Sequence, residues 1–170
     1  GFLLKPIYPS TLFDAIMDAF GKSGIKAEDR KKHFTTRASI YRQPLKGAKI
    51  LVAEDNPTNQ QVAQAILEGA GIVVTIVGDG EAAVEAVRTQ AFDAVLMDIQ
   101  MPEMDGKEAT QTIRQKGFEH VPIIAMTAHA MKGDREMCLE VGMNDYITKP
   151  IKREAVFAII EKTVFNKETA

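Results

Sequence analysis

The chain has 170 residues, of which 45% are hydrophobic and 26% charged, and its net charge is −2. These proportions are typical of a globular protein with one domain, or with one domain and an appendage. No apolar stretch approaches the roughly 20 residues that span a bilayer, and no signal peptide opens the chain. The single Cys138 excludes an internal disulfide and is expected to act as a small hydrophobic side chain. We therefore expect a cytoplasmic location without membrane contact by this fragment, although its parent chain could be membrane-anchored.

The first twenty residues have the pattern of a strand followed by an amphipathic helix. When Lys5-Pro6 is aligned with Lys149-Pro150, apolar residues match apolar residues on both sides. Residues 1–20 therefore look like a second copy of the chain's own last strand and helix, although any strand, Lys-Pro and amphipathic helix could align in this way. Because exposing these apolar side chains is costly, helix 10–20 is expected to dock on an apolar surface, and a dimer through residues 1–20 is possible.

Residues 21–47 form a basic segment with eight Lys/Arg against Glu28 and Asp29. Such a segment could in principle bind nucleic acid through its phosphates. It has no motif of a recognition helix. We therefore predict a solvated linker and no nucleic-acid partner.

From residue 48 onward, short apolar segments alternate with amphipathic ones. The predicted strands are 49–53, 72–77, 93–98, 122–126 and 143–147, and the predicted helices are 58–70, 80–90, 106–116, 131–141 and 152–165. Asp79 is expected to cap the second helix, and Gly71, Gly117 and Gly142 stand where helices should end. Strands that are apolar nearly throughout indicate a parallel sheet covered on both faces. The pattern predicts a doubly wound α/β domain with five parallel strands over residues 48–166, followed by a tail of residues 167–170.

Polar side chains mark the carboxyl ends of four of the five predicted strands. They are Glu54 and Asp55 after the first, Asp98 at the end of the third, Thr127 after the fourth and Lys149 after the fifth. Ligands of open parallel sheets bind at this edge, so these side chains should converge. Three neighbouring carboxylates repel one another unless a cation lies between them, and Mg²⁺ prefers oxygen ligands. We expect Asp55 and Asp98 to bind Mg²⁺ directly, Glu54 directly or through water, and Gln100 through its backbone carbonyl.

Asp98 lies at the centre of this set and is predicted to be a phosphoacceptor. A carboxylate is ionised at neutral pH and needs no general base to attack phosphorus. Lys149 and the metal would neutralise the phosphoryl oxygens, while Thr127 would donate a hydrogen bond. Ala128 is small enough to leave access to the phosphoryl position. The pattern therefore contains what aspartyl phosphorylation requires.

Four segments carry a resemblance to a known family. They are Lys-Ile-Leu-Val-Ala-Glu-Asp-Asn-Pro-Thr-Asn-Gln (49–60), Ala-Val-Leu-Met-Asp-Ile-Gln-Met-Pro-Glu-Met-Asp-Gly (94–106), Pro-Ile-Ile-Ala-Met-Thr-Ala-His-Ala (122–130) and Gly-Met-Asn-Asp-Tyr-Ile-Thr-Lys-Pro-Ile (142–151). They resemble the receiver domain of two-component systems, and most closely the receivers of hybrid sensor histidine kinases. The resemblance implies a flavodoxin-like fold and phosphorylation of Asp98 with Mg²⁺. It also implies Thr127 and Tyr146 as switch residues and a cis Lys149–Pro150 peptide bond.

The same resemblance bears on partners and on the rest of the chain. The phosphoryl donor would be a histidine kinase core or a histidine-phosphotransfer protein. Residues 1–20 would be the C-terminal remnant of a preceding receiver-like domain. The parent would be a hybrid histidine kinase, and this fragment alone would perform only self-phosphorylation and slow autodephosphorylation.

Three other functions fit parts of the pattern. A phosphatase of the haloacid-dehalogenase type would need a second Asp two positions after Asp98, where Gln100 stands. A dinucleotide-binding module would need Gly-x-Gly-x-x-Gly, which Val77-Gly78-Asp79-Gly80-Glu81 lacks. A receiver-like interaction module that is never phosphorylated remains as the alternative, although the complete set of site residues argues against it.

Overall fold

The computed structural model describes residues 45–128 and 134–165. Its strands and helices are β1 Lys49–Ala53, α1 Pro57–Glu68, β2 Val73–Val77, α2 Gly80–Thr89, β3 Ala94–Asp98, α3 Gly106–Gln115, β4 Ile123–Thr127, α4 Asp134–Glu140, β5 Asp145–Thr148 and α5 Arg153–Phe165. They confirm the predicted alternation with small shifts in bounds, such as the inclusion of Thr127 in β4. The predicted strand and helix of residues 1–20, most of the basic segment and the tail lie outside the described residues.

The five strands form one parallel sheet in the order β2-β1-β3-β4-β5. The chain passes from β1 outward to β2 and then crosses back to β3 on the other side of β1. Neighbouring connections therefore leave in opposite directions from β1 and β3, which opens a crevice at their carboxyl ends. This topology confirms the predicted doubly wound, flavodoxin-like fold and places Glu54, Asp55 and Asp98 at the crevice.

Each face of the sheet packs against its own set of helices. On one face, Ile50 and Val52 of β1 share a buried cluster with Leu67 of α1 and Ile160 of α5. The opposite face packs against α2, α3 and α4, and its cluster includes the buried Cys138. Both faces of the sheet are therefore covered by apolar packing, as the apolar strands predicted. Within the part of the chain that is described, no helix combines the length and apolarity needed to cross a membrane.

Leu45 extends the first of these clusters on the amino-terminal side of β1. Its side chain is completely buried and packs in the cluster with Ile50 and Leu67. The amide of Gly47 donates a 2.8 Å hydrogen bond to the carbonyl of Gly71, which joins this segment to the turn after α1. Leu45, which precedes the predicted boundary at residue 48, is therefore packed into the core.

The predicted helix signals are confirmed in the turns. The Asp79 carboxylate accepts a 2.7 Å hydrogen bond from the amide of Ala82 and caps α2. The three glycines predicted to end helices have positive φ angles of 81°, 88° and 96° at Gly71, Gly117 and Gly142. These turns return the chain to the amino-terminal edge of the sheet, so each strand ends on the opposite edge, where the polar residues lie.

Candidate functional site

A cleft of about 600 Å³ opens at the carboxyl edge of the sheet. Its lining includes six of the seven side chains and backbone positions that the sequence predicts for the site, namely Glu54, Asp55, Asp98, Gln100, Thr127 and Lys149. Residues separated by up to about a hundred positions in the chain are brought together because parallel strands all end at one edge. The cleft also contains Lys107, which the sequence analysis did not identify.

Three carboxylates meet at the floor of this cleft. Asp98 is the last residue of β3, while Glu54 and Asp55 directly follow β1. One oxygen from each carboxylate lies within 4.8 Å of the others, a separation that a single metal ion can bridge. Glu54 and Asp98 are buried and Asp55 is exposed. The predicted convergence of the three acids is therefore found.

Lys149 lies between two of these acids. Its Nζ donates a 2.6 Å hydrogen bond to Asp98 Oδ2 and is also 2.6 Å from Glu54 Oε2. Apart from this second contact, an ion pair, the buried Glu54 Oε2 has no hydrogen-bond donor among the described residues. The following Lys149–Pro150 peptide bond is cis, which confirms the prediction from the family resemblance.

Burial and neighbouring charges shift the pKa values of both Asp98 and Lys149. Burial raises the pKa of Asp98, while the ammonium of Lys149 and the amide of Gln100 partly offset this effect. Burial by itself would lower the pKa of Lys149, but its contacts with Asp98 and Glu54 outweigh burial and raise the pKa overall. Lys149 is therefore a cation at neutral pH, held against the two buried carboxylates.

Glu54 is held by polar side chains at the start of α1, which Asn56 caps. The side-chain amide of Asn59 donates a 2.8 Å hydrogen bond to Glu54 Oε1, and that of Gln60 donates one of 2.6 Å to the Glu54 carbonyl. Asn56 caps α1 by accepting a 2.9 Å hydrogen bond from the amide of Thr58. No role was predicted for these residues from the sequence. An Asn before a proline that opens a helix was the available signal.

The start of α3 packs directly against the strand end that carries Asp98. A Cβ atom at Gly106 would collide with the Asp98 carbonyl oxygen, so any larger residue would displace either the helix or the strand end. The Gly106 amide donates a 3.0 Å hydrogen bond to the carbonyl of Ile99, and the Gln100 amide donates one of 3.2 Å to Asp98 Oδ1. The position of Asp98 is thus coupled to the start of α3.

The predicted switch residues lie on neighbouring strands. Thr127 ends β4, is buried and lines the cleft, and the exposed Ala128 follows it on the cleft wall. Tyr146 lies on β5 beside Ala125 of β4, is half-buried and packs against the second core cluster. Of the predicted site residues, Tyr146 is the one that does not line the cleft.

Comparisons of sequence agree with this arrangement. A family model, the response regulator receiver domain, matches residues 50–161. The chain is 44% identical over 118 residues to the sensor protein GacS of Pseudomonas syringae pv. syringae, which covers 67% of this chain and 13% of that relative. It is 35% identical over 159 residues to the signal transduction histidine-protein kinase BarA of Escherichia coli K12, covering 93% of this chain and 16% of BarA. The chain thus spans a small part of the length of both relatives.

Solved structures give the same result. The receiver domain of the sensor histidine kinase PA1611 from Pseudomonas aeruginosa PAO1 is 48% identical, with a TM-score of 0.65 over 69% of this chain and 98% of its own. That structure has a magnesium ion coordinated in its active site cleft. The receiver of the response regulator Ssk1 of Saccharomyces cerevisiae, crystallised with the histidine phosphotransfer protein Ypd1, is 27% identical, with a TM-score of 0.67 over 71% of this chain and 90% of that chain. This chain therefore belongs to the response regulator receiver family, and the relatives it matches include sensor histidine kinases.

Proposed function

We propose that Asp98 accepts a phosphoryl group from a phosphohistidine within a two-component phosphorelay. The observation that carries this proposal is the environment of one carboxylate at a strand end. Asp98 lies within bridging distance of the Glu54 and Asp55 carboxylates and receives a 2.6 Å hydrogen bond from Lys149. The site thus offers both a place for a cation and a fixed ammonium beside one nucleophilic oxygen.

The donor set fits Mg²⁺. Carboxylate and carbonyl oxygens are the hard ligands that this ion prefers. Apart from its ion pair with Lys149, the buried Glu54 Oε2 has no hydrogen-bond donor among the described residues, so it retains capacity for a ligand bond. The carboxylates of Glu54, Asp55 and Asp98 and the carbonyl of Gln100 would hold the ion, which when bound supplies positive charge to phosphoryl oxygens. The magnesium in the PA1611 receiver supports this assignment.

The chain's own residues account for the transfer. The ionised Asp98 carboxylate attacks phosphorus, an oxygen–phosphorus bond forms, and the nitrogen–phosphorus bond of phosphohistidine breaks with release of the imidazole. The Lys149 ammonium is placed to stabilise negative charge on the phosphoryl oxygens, and the Thr127 hydroxyl to donate a hydrogen bond to them. The product is an aspartyl phosphate, which water would slowly hydrolyse.

The donor we propose is a histidine kinase core or a histidine-phosphotransfer protein. The complex of the Ssk1 receiver with Ypd1 supports a partner of this class. The likeness to GacS and BarA supports a hybrid histidine kinase as the parent chain. The match to BarA covers more of this chain than the receiver model does. This wider match supports the proposal that the segment before the domain also belongs to a hybrid histidine kinase.

Labelling with a small phosphoryl donor tests the proposed function. Incubation with acetyl phosphate and Mg²⁺ should add a single phosphoryl group per chain, measured by intact-protein mass spectrometry. Asp98→Asn should remain unlabelled because the amide is a poor nucleophile. A folded wild-type protein that stays unlabelled would instead support the alternative of an interaction module that is never phosphorylated.

Asp55→Asn should abolish labelling while leaving the fold unchanged. Asp55 is exposed, so its neutralisation should change the free energy of unfolding by less than about 0.5 kcal/mol. Glu68→Gln is a matched control because Glu68 is an exposed acid at the far end of α1, away from the cleft. Labelling of Asp55→Asn at the rate of the control would contradict the proposed metal site.

We further propose that phosphorylation moves Thr127 towards the phosphoryl group and lets Tyr146 turn inward. The two residues lie on hydrogen-bonded neighbouring strands, where Ala125 is the register partner of Tyr146. Addition of beryllofluoride, a phosphoryl mimic, should therefore change NMR chemical shifts from the cleft as far as α4, β5 and the start of α5. In Thr127→Ala the distant changes should be lost. Shifts confined to the cleft of the wild-type protein would contradict a propagated switch.

A further inference from the structure

Lys107 brings a second ammonium group to the cleft. It is the second residue of α3, and its side chain is half-buried in the cleft lining. The start of α3 is held against Asp98 by the close approach of Gly106 and by the hydrogen bond from the Gly106 amide to the Ile99 carbonyl. The backbone contact between α3 and the end of β3 therefore fixes the positions of both Lys107 and Asp98.

The two lysines of the cleft differ in what they contact. Lys149 is bound at 2.6 Å to both Glu54 and Asp98. The Nζ of Lys107 instead lies 3.1 Å from the thioether sulfur of Met137 on α4. A thioether is a weak acceptor, and across residues 45–128 and 135–164 no carboxylate lies within ion-pair distance of this ammonium. Among those residues, no carboxylate neutralises the positive charge of Lys107.

The positive charge of Lys107 lies in a cleft whose lining also includes acids, and this affects how the cleft receives an anion. Three carboxylates line the cleft, while Lys149 is engaged by two of them. A phosphoryl donor is an anion. The acids would hold Mg²⁺ and already engage Lys149, so Lys107 supplies an ammonium in the cleft lining that can attract the donor as it approaches. Fixed charges at a cleft entrance change association rates in this way, with an effect that salt screens.

We propose that Lys107 attracts and positions the anionic phosphoryl group of the donor as it enters the cleft, a role that rests on the proposed phosphorylation of Asp98. Lys107 is a positioning residue in this assignment, and its charge is what matters. The competing explanation is that its methylene groups merely cover Met137, in which case an uncharged side chain of similar length would serve equally well.

The experiment measures the second-order rate constant for phosphorylation by acetyl phosphate with saturating Mg²⁺ in four proteins: wild type, Lys107→Gln, Lys107→Arg and Lys116→Gln. Lys116 is an exposed residue just after the other end of α3, more than about 10 Å away along the helix axis, so the control removes the same charge farther from the cleft. Lys107→Gln should lower the rate about 3- to 10-fold at low ionic strength, and less than about 2-fold near 0.5 M salt. Lys107→Arg and Lys116→Gln should stay within about 2-fold of wild type.

Three results would overturn the assignment. Lys107→Gln could match Lys116→Gln at low salt, its loss of rate could persist unchanged at high salt, or Lys107→Arg could be as slow as Lys107→Gln. The last two would show that shape or packing, and not charge, is what Lys107 supplies. A wild-type protein that is not labelled at all would be a failure of the proposed function, and labelling that ignores Lys107 would be a failure of this inference alone.

Discussion

Gly106→Ala should destabilise the domain by about 3 kcal/mol or more and sharply slow the phosphorylation of Asp98. The added Cβ would collide with the Asp98 carbonyl oxygen and would also approach the side chain of Met97 to 2.9 Å. The first of these contacts is with backbone at the end of a buried strand, which cannot rotate away as a flexible side chain can. Relief requires that α3 or the end of β3 move, and either movement displaces the Asp98 carboxylate from Lys149.

Gly117→Ala provides the control for this substitution. Gly117 has a φ of +88° and open space around its Cβ position, so alanine there should cost only about 1–2 kcal/mol of backbone strain. It should also leave the labelling rate unchanged, because Gly117 is at the opposite end of α3. Urea unfolding and acetyl phosphate labelling of both variants measure the two effects. Equal stability and equal labelling for the two would contradict the coupling of α3 to Asp98.

Leu45→Ala should lower the free energy of unfolding by about 2–5 kcal/mol. Leu45 is fully buried in the cluster formed by β1, α1 and α5, so truncation leaves a cavity in addition to the lost transfer free energy. Leu139→Ala is the matched control, since Leu139 on α4 is 39% exposed and should cost less than about 1 kcal/mol. Urea unfolding measures both. A Leu45→Ala protein as stable as the control would show that the segment before β1 is not part of the domain's core.

The site residues at the strand ends were predictable from the sequence, because a single topological rule fixes where they lie. In a parallel sheet every strand ends at the same edge, so apolar runs followed by Glu54, Asp98 and Lys149 were sufficient to predict their convergence. The helix ends at Asp79 and Gly142 were predictable for a similar reason, since capping depends on local backbone chemistry. The doubly wound fold follows from the same strand and helix periods.

Features that depend on distant packing were not predictable in this way. Leu45 stands beside basic residues that favour a linker, and only the three-dimensional packing shows it filling the core beside Ile50. The need for a residue without a side chain at Gly106 arises from the approach of α3 to β3, which no local pattern encodes. Lys107 looks like an ordinary polar residue of a helix, and its place in the cleft follows from that approach.

Mapping the phosphoryl group to its residue tests the central claim most directly. After labelling with acetyl phosphate and Mg²⁺, borohydride reduction converts an aspartyl phosphate to homoserine, which peptide mass spectrometry locates. Homoserine is expected at residue 98 alone, and none is expected in the Asp98→Asn protein. Homoserine at any other aspartate of the wild-type chain, or undiminished labelling of Asp98→Asn, would contradict the central claim.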